Sequence, residues 1–427
     1  MGKRNLNERI MSKLATLPGT NQLSLSLRQV AQLLEVNERT LRHWEKQGLI
    51  QGSQDEETSY RYTLLDATKI GRLTQLVSQD MPIERAVGIM RGRERTIIGV
   101  DMASYGLKIV KMLYDEFSST LSDALLIPKS AIEDEVASCR EQILSFLKAN
   151  GREPEIVATL SQVFFRTVEV PTTKTAMEET KFFTNDASSH IPDNVGPVRI
   201  SSFAKMGGHN NPLSAIYCAT TENNISTQLD FLSQLGIKAN TFIPGHSCLY
   251  LLLKDDLGSQ TVSFLDMGET GARFNITNGS MHWPRIIPIG GKDFTEAIQS
   301  SLKLKNFEEA EQLKLNASQT DKKISSAIAP LLERFGDEVL NTQEYASMGP
   351  SRKTFISGGS SLLPGVQKAL QDKLKCSVEV ADPFSAFDVI NSANNEMSSQ
   401  ANYLAGAVGC CLHNLNPAIK LPEFVEG

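Results

Sequence analysis

At 427 residues the chain exceeds one ordinary core, and its 41% hydrophobic, 22% charged and 7% aromatic residues exclude disordered, collagen-like and coiled-coil classes. The net charge of -6 is uneven: residues 1–95 carry 15 Lys and Arg against 11 Asp and Glu, the remainder 28 against 38, so only the N-terminal part suits a polyanion. No uncharged apolar run reaches the roughly 18–20 residues of a bilayer span, and the first residues lack a signal-peptide apolar centre. The expectation is a cytoplasmic protein without direct membrane insertion. Six cysteines without a C-x-x-C pair and six scattered histidines give no metal-ligand spacing, so free buried thiols are expected.

After a polar leader (1–23), Ser24 opens a helical pattern through Leu27, Val30, Ala31 and Leu34. A tight turn follows, and Asn37 can cap a second helix, so the pair predicts a helix-turn-helix. Leu41 and Trp44 face its core, while Arg39, Thr40, Arg42 and His43 lie on other faces, where they can reach bases or phosphates. Tyr60 and Arg61 read as a hairpin wing with the arginine at its tip, and Asp66–Val77 and Pro82–Met90 supply two more helices. The run T-L-R-H-W-E-K-Q-G-L at Thr40 to Leu49, with the wing Tyr60-Arg61, resembles the MerR family over residues 24–92. That resemblance implies a recognition helix in the major groove and a wing arginine on phosphate, so double-stranded DNA is a candidate partner. Arg91 to Arg93 leads directly into a strand instead of the family's dimerisation helix, which leaves protein docking as the alternative role.

From Thr96 strands alternate with helices, which predicts an α/β body over 96–427. The strand TIIGVDM closes on Asp101, and a turn carrying Ser104 and Gly106 leads into a second strand bearing Lys108. The arrangement recurs at Asp266, with Gly268 and Thr270 in the turn; a third strand then runs into Gly358-Gly359 and a helix near Pro364. Two carboxylates at strand ends can hold a hydrated Mg²⁺ whose partners are phosphate oxygens, with Ser104 and the turn amides donating to phosphate and Lys108 as a point charge. Gly358 and Gly359 let the backbone approach a nucleoside. A nucleotide with Mg²⁺, held through water by Asp101 and Asp266, is therefore the expected ligand.

This order resembles the actin-like ATPase superfamily, and within it the PilM family of type IV pilus assembly proteins, relatives of FtsA. The likeness rests on Ile289-Gly290-Gly291 with Thr295-Glu296-Ala297-Ile298, on Phe307-Glu308-Glu309-Ala310-Glu311-Gln312-Leu313-Lys314, on Gly358 to Gly365 and on Val378 to Phe384. It implies an α/β, two-lobed actin-like ATPase fold with an inserted subdomain at about 172–214 and a second lobe at about 260–415, preceded by a mainly α winged helix-turn-helix domain. It implies that the nucleotide is ATP, adds Gly290 and Gly291 to the ATP-binding set, and makes the cytoplasmic tail of an inner-membrane pilus assembly protein a partner, placing the chain at the inner membrane through that partner. Departures fall at the chemistry. Ala103 replaces a usual glycine, Arg273 stands where many hydrolases place Asp or Asn, and His246 is the nearest polar side chain where a water-orienting Gln, Glu or Asp is expected. His246 is thus the catalytic candidate, with a helix-end role as its alternative, and hydrolysis is expected to be slow or absent. The expected function is an ATP-binding actin-like scaffold of type IV pilus or related envelope machinery. The alternative is a DNA-binding regulator or DNA-positioning protein whose body senses nucleotide or self-associates into a polymer.

Overall fold

A computed structural model describes residues 25–47, 49–50, 52–54, 60–62, 64–78, 81–83, 86–87, 95–114, 119–148, 153–170, 176–190, 196–206, 213–253, 260–278, 282–385, 387–389, 400–415 and 424–425. It divides into two compact units, Met1–Arg95 with Leu113–Ser119, and Thr96–Met112 with Thr120–Gly427.

In the first unit, strand β1 (Leu25–Ser26) leads into helix α1 (Leu27–Leu34). The cap is Ser26: its hydroxyl accepts the Gln29 amide at 3.3 Å, and the Gln29 side chain accepts the Ser26 amide at 2.8 Å. The helix therefore begins past Ser24, which lies outside the described residues. Glu35, in the left-handed region at φ 57°, ends α1, and Asn37 caps α2 (Glu38–Lys46) by accepting the Arg39 amide at 2.9 Å. Strands β2 (Ser53–Gln54) and β3 (Tyr60–Tyr62) follow, then α3 (Leu64–Val77). The sheet order β1-β3-β2 places Arg61 opposite both Ser26 and Ser53. Arg61 is thus in the middle of the central strand, not at a wing tip, because the leading residues add a third strand. Leu27, Val30, Leu41, Trp44, Tyr62 and Leu73 form the core, and Tyr62 donates its hydroxyl to Glu45. Of the helix expected at Pro82–Met90, Ile83, Ala86 and Val87 are helical and the rest lies largely outside the described residues.

The second unit starts with β4 (Arg95–Ala103), β5 (Gly106–Tyr114) and β6 (Ser119–Pro128), followed by α4 (Lys129–Asp134), α5 (Val136–Leu147) and β7 (Glu155–Leu160). Then come β8 (Phe164–Val170), α6 (Ala176–Ser188), β9 (Val198–Met206) and β10 (Leu213–Thr221). These strands form a sheet of order β8-β10-β9, and Phe183 and Ala187 of α6 share a core with Ala215, Tyr217 and Ala219 of β10. The inserted subdomain thus takes in β8 and all of β10, beyond the 172–214 span. Helix α7 (Glu222–Gln234), β11 (Thr241–Pro244) and α8 (Gly245–Leu252) complete the first lobe.

The second lobe is the meander β12 (Val262–Met267), β13 (Ala272–Thr277), β14 (His282–Ile287), then α9 (Gly291–Leu302), α10 (Phe307–Leu315), α11 (Lys322–Ala346), β15 (Lys353–Ser357), α12 (Val366–Leu374) and β16 (Ser377–Val380). The chain then returns to the first lobe through β17 (Asp388–Val389), α13 (Ala405–Leu415) and β18 (Phe424–Val425). Sheet orders are β17-β6-β5-β4-β7-β11-β18 and β14-β13-β12-β15-β16. Helix α13 packs on α8 and β7, so residues 405–415 belong with the first sheet rather than the second lobe. Phe424 and Val425 form the edge strand β18, with Phe424 opposite Phe242 and buried in the same core as Leu235. Parallel β4, β7 and β11 are covered on both sides, which explains why TIIGVDM reads as an unbroken apolar run.

Candidate nucleotide cleft

Antiparallel pairing of β12 with β13 closes a turn at Gly268–Gly271 and sets Asp266 directly opposite Arg273. The guanidinium crosses that pair, with Nε and Nη2 donating to Asp266 Oδ2 at 3.0 and 2.5 Å. Parallel pairing with β15 places Ser357 on the other side, and its hydroxyl donates to Asp266 Oδ1 at 2.8 Å. From the first lobe, Asp101 meets the same guanidinium: Nη1 donates to Oδ1 at 3.1 Å and Nη2 to Oδ2 at 3.0 Å. Thr159 on β7 donates to Asp101 Oδ1 at 3.0 Å, and Lys108 Nζ lies 3.5 Å from Oδ2. Two glycines make room. A Cβ on Gly245 would stand 2.2 Å from Arg273 Nη1, and one on Gly406 would stand 2.4 Å from Asp101 Oδ2.

Burial alone would push the Asp101 carboxyl up; Arg273, Lys108 and the hydrogen bonds from Arg273 and Thr159 overcome it and hold the group well below the usual carboxylate range. Burial would likewise favour neutral Arg273, and the two carboxylates reverse it, so the guanidinium stays charged. The expected Mg²⁺ does not fit these residues. The space between the carboxylates holds a guanidinium hydrogen-bonded to both, and the four charges of Asp101, Asp266, Arg273 and Lys108 already balance. Asp101 and Asp266 are therefore partners of Arg273, not outer ligands of a metal.

A cavity of about 230 Å³ lies against this bridge. Of the residues named from the sequence, Ser104, Lys108, His246, Asp266, Gly268 and Thr270 line it and Asp101 does not; Ser161, Gln162, Gly245 and Arg273 line it as well. Thr270 donates to Ser104 at 3.2 Å, which ties the two turns together. Gly106, Gly290, Gly291, Gly358 and Gly359 lie outside this wall. A Cβ on Gly106 would stand 2.1 Å from the Ile127 carbonyl, so this glycine serves strand packing. The Gly291 amide donates to the Gly268 carbonyl at 2.9 Å and the Lys292 amide to Glu269 at 2.9 Å, so the start of α9 is docked on the second turn. Gly358, at φ 83°, exchanges hydrogen bonds with Asn402, and Gly359 faces the Tyr403 ring.

His246 is buried at the start of α8, and its Nε2 donates to the Arg285 carbonyl at 3.1 Å. Burial, reinforced by Arg273, pushes its pKa down to about 3. A group so weakly basic is neutral at pH 7 and poorly matched to general-base work, and its bond to Arg285 anchors the start of α8. Buried His282 is shifted down too, well below its ordinary value. Because both folded pKa values are depressed, the unfolded chain binds more protons below pH 6.5, and stability is lost as pH falls from there. Each histidine should cost up to ~1.4 kcal/mol per pH unit. Urea unfolding at pH 7 and pH 5 should show this loss, with a smaller one in His246→Gln, whose amide can still donate to Arg285; equal losses would contradict the assignment.

The sequence profile of type IV pilus assembly protein PilM matches residues 99–415. The chain belongs to the PilM family. A second profile, MerR HTH family regulatory protein, matches residues 25–93. No curated protein matches the sequence. Among solved structures, one described as a PilM-PilN type IV pilus biogenesis complex aligns with a TM-score of 0.61 and 22% identity, over 76% of this chain and 98% of that one. Ethanolamine utilization protein EutJ from Carboxydothermus hydrogenoformans aligns at 0.43 with 14% identity, over 74% of this chain and 89% of that one, too distant to carry an argument. The PilM-family body has the actin-like ATPase fold that the ordered loops imply.

On the MerR-like unit, Arg39, Arg42 and His43 are exposed along α2 and Thr40 is half-buried. Arg42 is engaged with Glu38 at 2.6 Å. The side chains of Tyr60 and Arg61 lie outside the described residues. In the PilM-like body, sequence reasoning missed Thr159 and Ser357 as carboxylate partners, and Gln162, whose φ of 53° marks a constrained turn in the cavity wall. Ser357 immediately precedes Gly358 at the end of a strand that the sequence predicts, which marks it as a polar side chain near the third turn; nothing in the sequence singles out Thr159 or Gln162.

Proposed function

We propose that the chain is a cytoplasmic, actin-like scaffold of type IV pilus or related envelope machinery, whose cleft binds ATP and whose body takes the cytoplasmic tail of an inner-membrane pilus assembly protein. The observation that carries this is the PilM profile over residues 99–415, on a fold that spans 98% of a chain solved in a PilM-PilN type IV pilus biogenesis complex. No helix among the described residues is long and apolar enough to cross a membrane; the proposed attachment is through the partner. Phosphates are met by Ser104, Lys108, Thr270 and the Gly268–Gly271 turn, and the nucleoside lies towards Gly358-Gly359. Asp101 and Asp266 act through Arg273. Gly290 and Gly291 hold the second turn in place.

The MerR profile over residues 25–93, with Arg39, Arg42, His43 and Lys46 exposed on α2, favours a second reading in which this unit holds double-stranded DNA and the body serves a regulator or DNA-positioning device, alone or as a polymer. One experiment separates them. Tagged full-length protein is captured from native membranes and scored for pilus assembly proteins, and the same preparation is titrated with random and genomic duplex at two salt concentrations. Scaffold function predicts capture of an inner-membrane pilus protein. DNA binding predicts an affinity that falls by about 0.9 log unit per log salt for each phosphate neutralised. Arg39→Ala or Arg42→Ala should then narrow the gap between preferred and random duplex, and Arg61→Ala should weaken all sequences alike. Tight, sequence-selective binding without pilus proteins would move the conclusion to the regulator; no duplex binding at low salt would remove it.

A further inference from the structure

We infer that Arg273 is a built-in cation in place of a hydrated divalent metal, so that the cleft closes between its lobes, and takes a nucleotide polyphosphate, without divalent metal. The nucleotide half of this rests on the reading of the cleft above; the metal half does not.

Acceptor capacity makes the first argument. A carboxylate offers about four lone-pair sites. Three of those on Asp101 are filled by hydrogen bonds from Thr159 and from Arg273 at both oxygens, and the Lys108 ammonium stands 3.5 Å from Oδ2, which crowds out the water shell that Mg²⁺ keeps when bound through carboxylates. Asp266 accepts two bonds from Arg273 and one from Ser357. The second argument is steric. Gly245 and Gly406 each stand where any Cβ would collide with the guanidinium or with Asp101, so the backbone on both flanks is shaped around this ion pair. The third is connectivity. Asp101 belongs to the seven-stranded sheet, and Asp266 and Arg273 to the five-stranded sheet, so the cation joining the lobes is covalently part of the chain and cannot be lost to chelation.

The guanidinium also has something left to offer. Four of its five N–H groups go to the two carboxylates, and one Nη1 hydrogen has no acceptor among the described residues. Its side chain is 22% exposed and lines the cavity together with Lys108, Ser104 and Thr270. Arg273 and Lys108, the bridge's own cations, and the Ser104 hydroxyl, which accepts from Thr270 and keeps its own proton, form a donor set for phosphate oxygens that needs no bridging ion.

The test uses the full chain with ATP, once with excess EDTA and once with Mg²⁺, by calorimetry, and follows the melting temperature with Mn²⁺ alone. Wild-type affinity should agree within about threefold between the two conditions, and Mn²⁺ should leave its melting temperature unchanged. Arg273→Asn frees both carboxylates, so it should gain a melting temperature that rises with Mn²⁺ and an affinity for ATP about tenfold or more better with Mg²⁺ than with EDTA. A wild-type affinity that depends more strongly on Mg²⁺, or a wild-type Mn²⁺ stabilisation that disappears in Asp101→Asn, overturns the inference. If ATP binds in neither condition, the nucleotide reading fails, and the Mn²⁺ measurements alone decide the metal half. Should Arg273→Asn not fold, the wild-type arms decide by themselves.

Discussion

Replacing Arg273 by leucine should destabilise the PilM-like body by about 3–5 kcal/mol, because it strands two buried carboxylates that now share one cation. Asp101 is fully buried and Asp266 nearly so, and only Lys108, at 3.5 Å from one Asp101 oxygen, would remain as a counter-ion. Urea unfolding of the full chain, read by a probe in the body, measures the loss. The triple replacement of Asp101 and Asp266 by Asn with Arg273 by Leu should recover much of it, since removing all the charges removes their desolvation cost as well. An effect under about 1 kcal/mol for the single change would show that the bridge is solvated and contributes like a surface pair. The exposed Arg42–Glu38 pair supplies the internal contrast: Arg42→Ala should cost only about 0.3–0.5 kcal/mol.

Steady-state ATP turnover should be at least about 100-fold under the roughly 1–100 per second common for kinases. Three features act together. Arg273 fills the place between the carboxylates, His246 is held neutral with its Nε2 on the Arg285 carbonyl, and Ala103 replaces a turn glycine. Positioning and general-base groups each contribute about 10²–10⁴ in rate, so losing them leaves binding largely intact and chemistry weak. Phosphate release at saturating ATP is the measurement. Several turnovers per second by the full chain alone would mean that another group, with Gln162 as the first to test, orients the attacking water.

Much of the molecule is legible in one dimension. Local periodicity and caps place α1 and α2, because Asn37 and the buried pair Leu41 and Trp44 act within a single helix. Apolar runs ending in Asp101 and Asp266, and the glycines of the third turn, place three strands and their turns because strand chemistry and turn chemistry are local. One relation was available and went unread. In a hairpin whose turn is Gly268–Gly271, pairing Met267 with Ala272 obliges Asp266 to face Arg273, so a salt-bridged pair follows from register alone.

Short strands and long-range partners escape the sequence for physical reasons. The two-residue strands β1, β17 and β18 have too few residues to show alternation, and each exists only because an open edge of a sheet already stands beside it. Arg61 is the cost of missing one of them: the third strand turns a supposed wing tip into a central position. The return of α13 to the first sheet is equally silent, since an apolar helix suits either lobe until Gly406 and Gly409 meet Asp101 and Cys248.

By itself the sequence determined the family, the two-unit order and the carboxylate-bearing turns, all of which rest on residues close together in the chain. It could not determine what lies between the carboxylates. Asp101 and Arg273 are 172 positions apart, and whether a strand-end aspartate holds a metal's water or a guanidinium depends on ångström-scale distances between two lobes. Only folding brings Thr159, Ser357, Lys108 and two Cβ-free glycines around them, and that local balance of charge and space makes Arg273 the cation of the cleft.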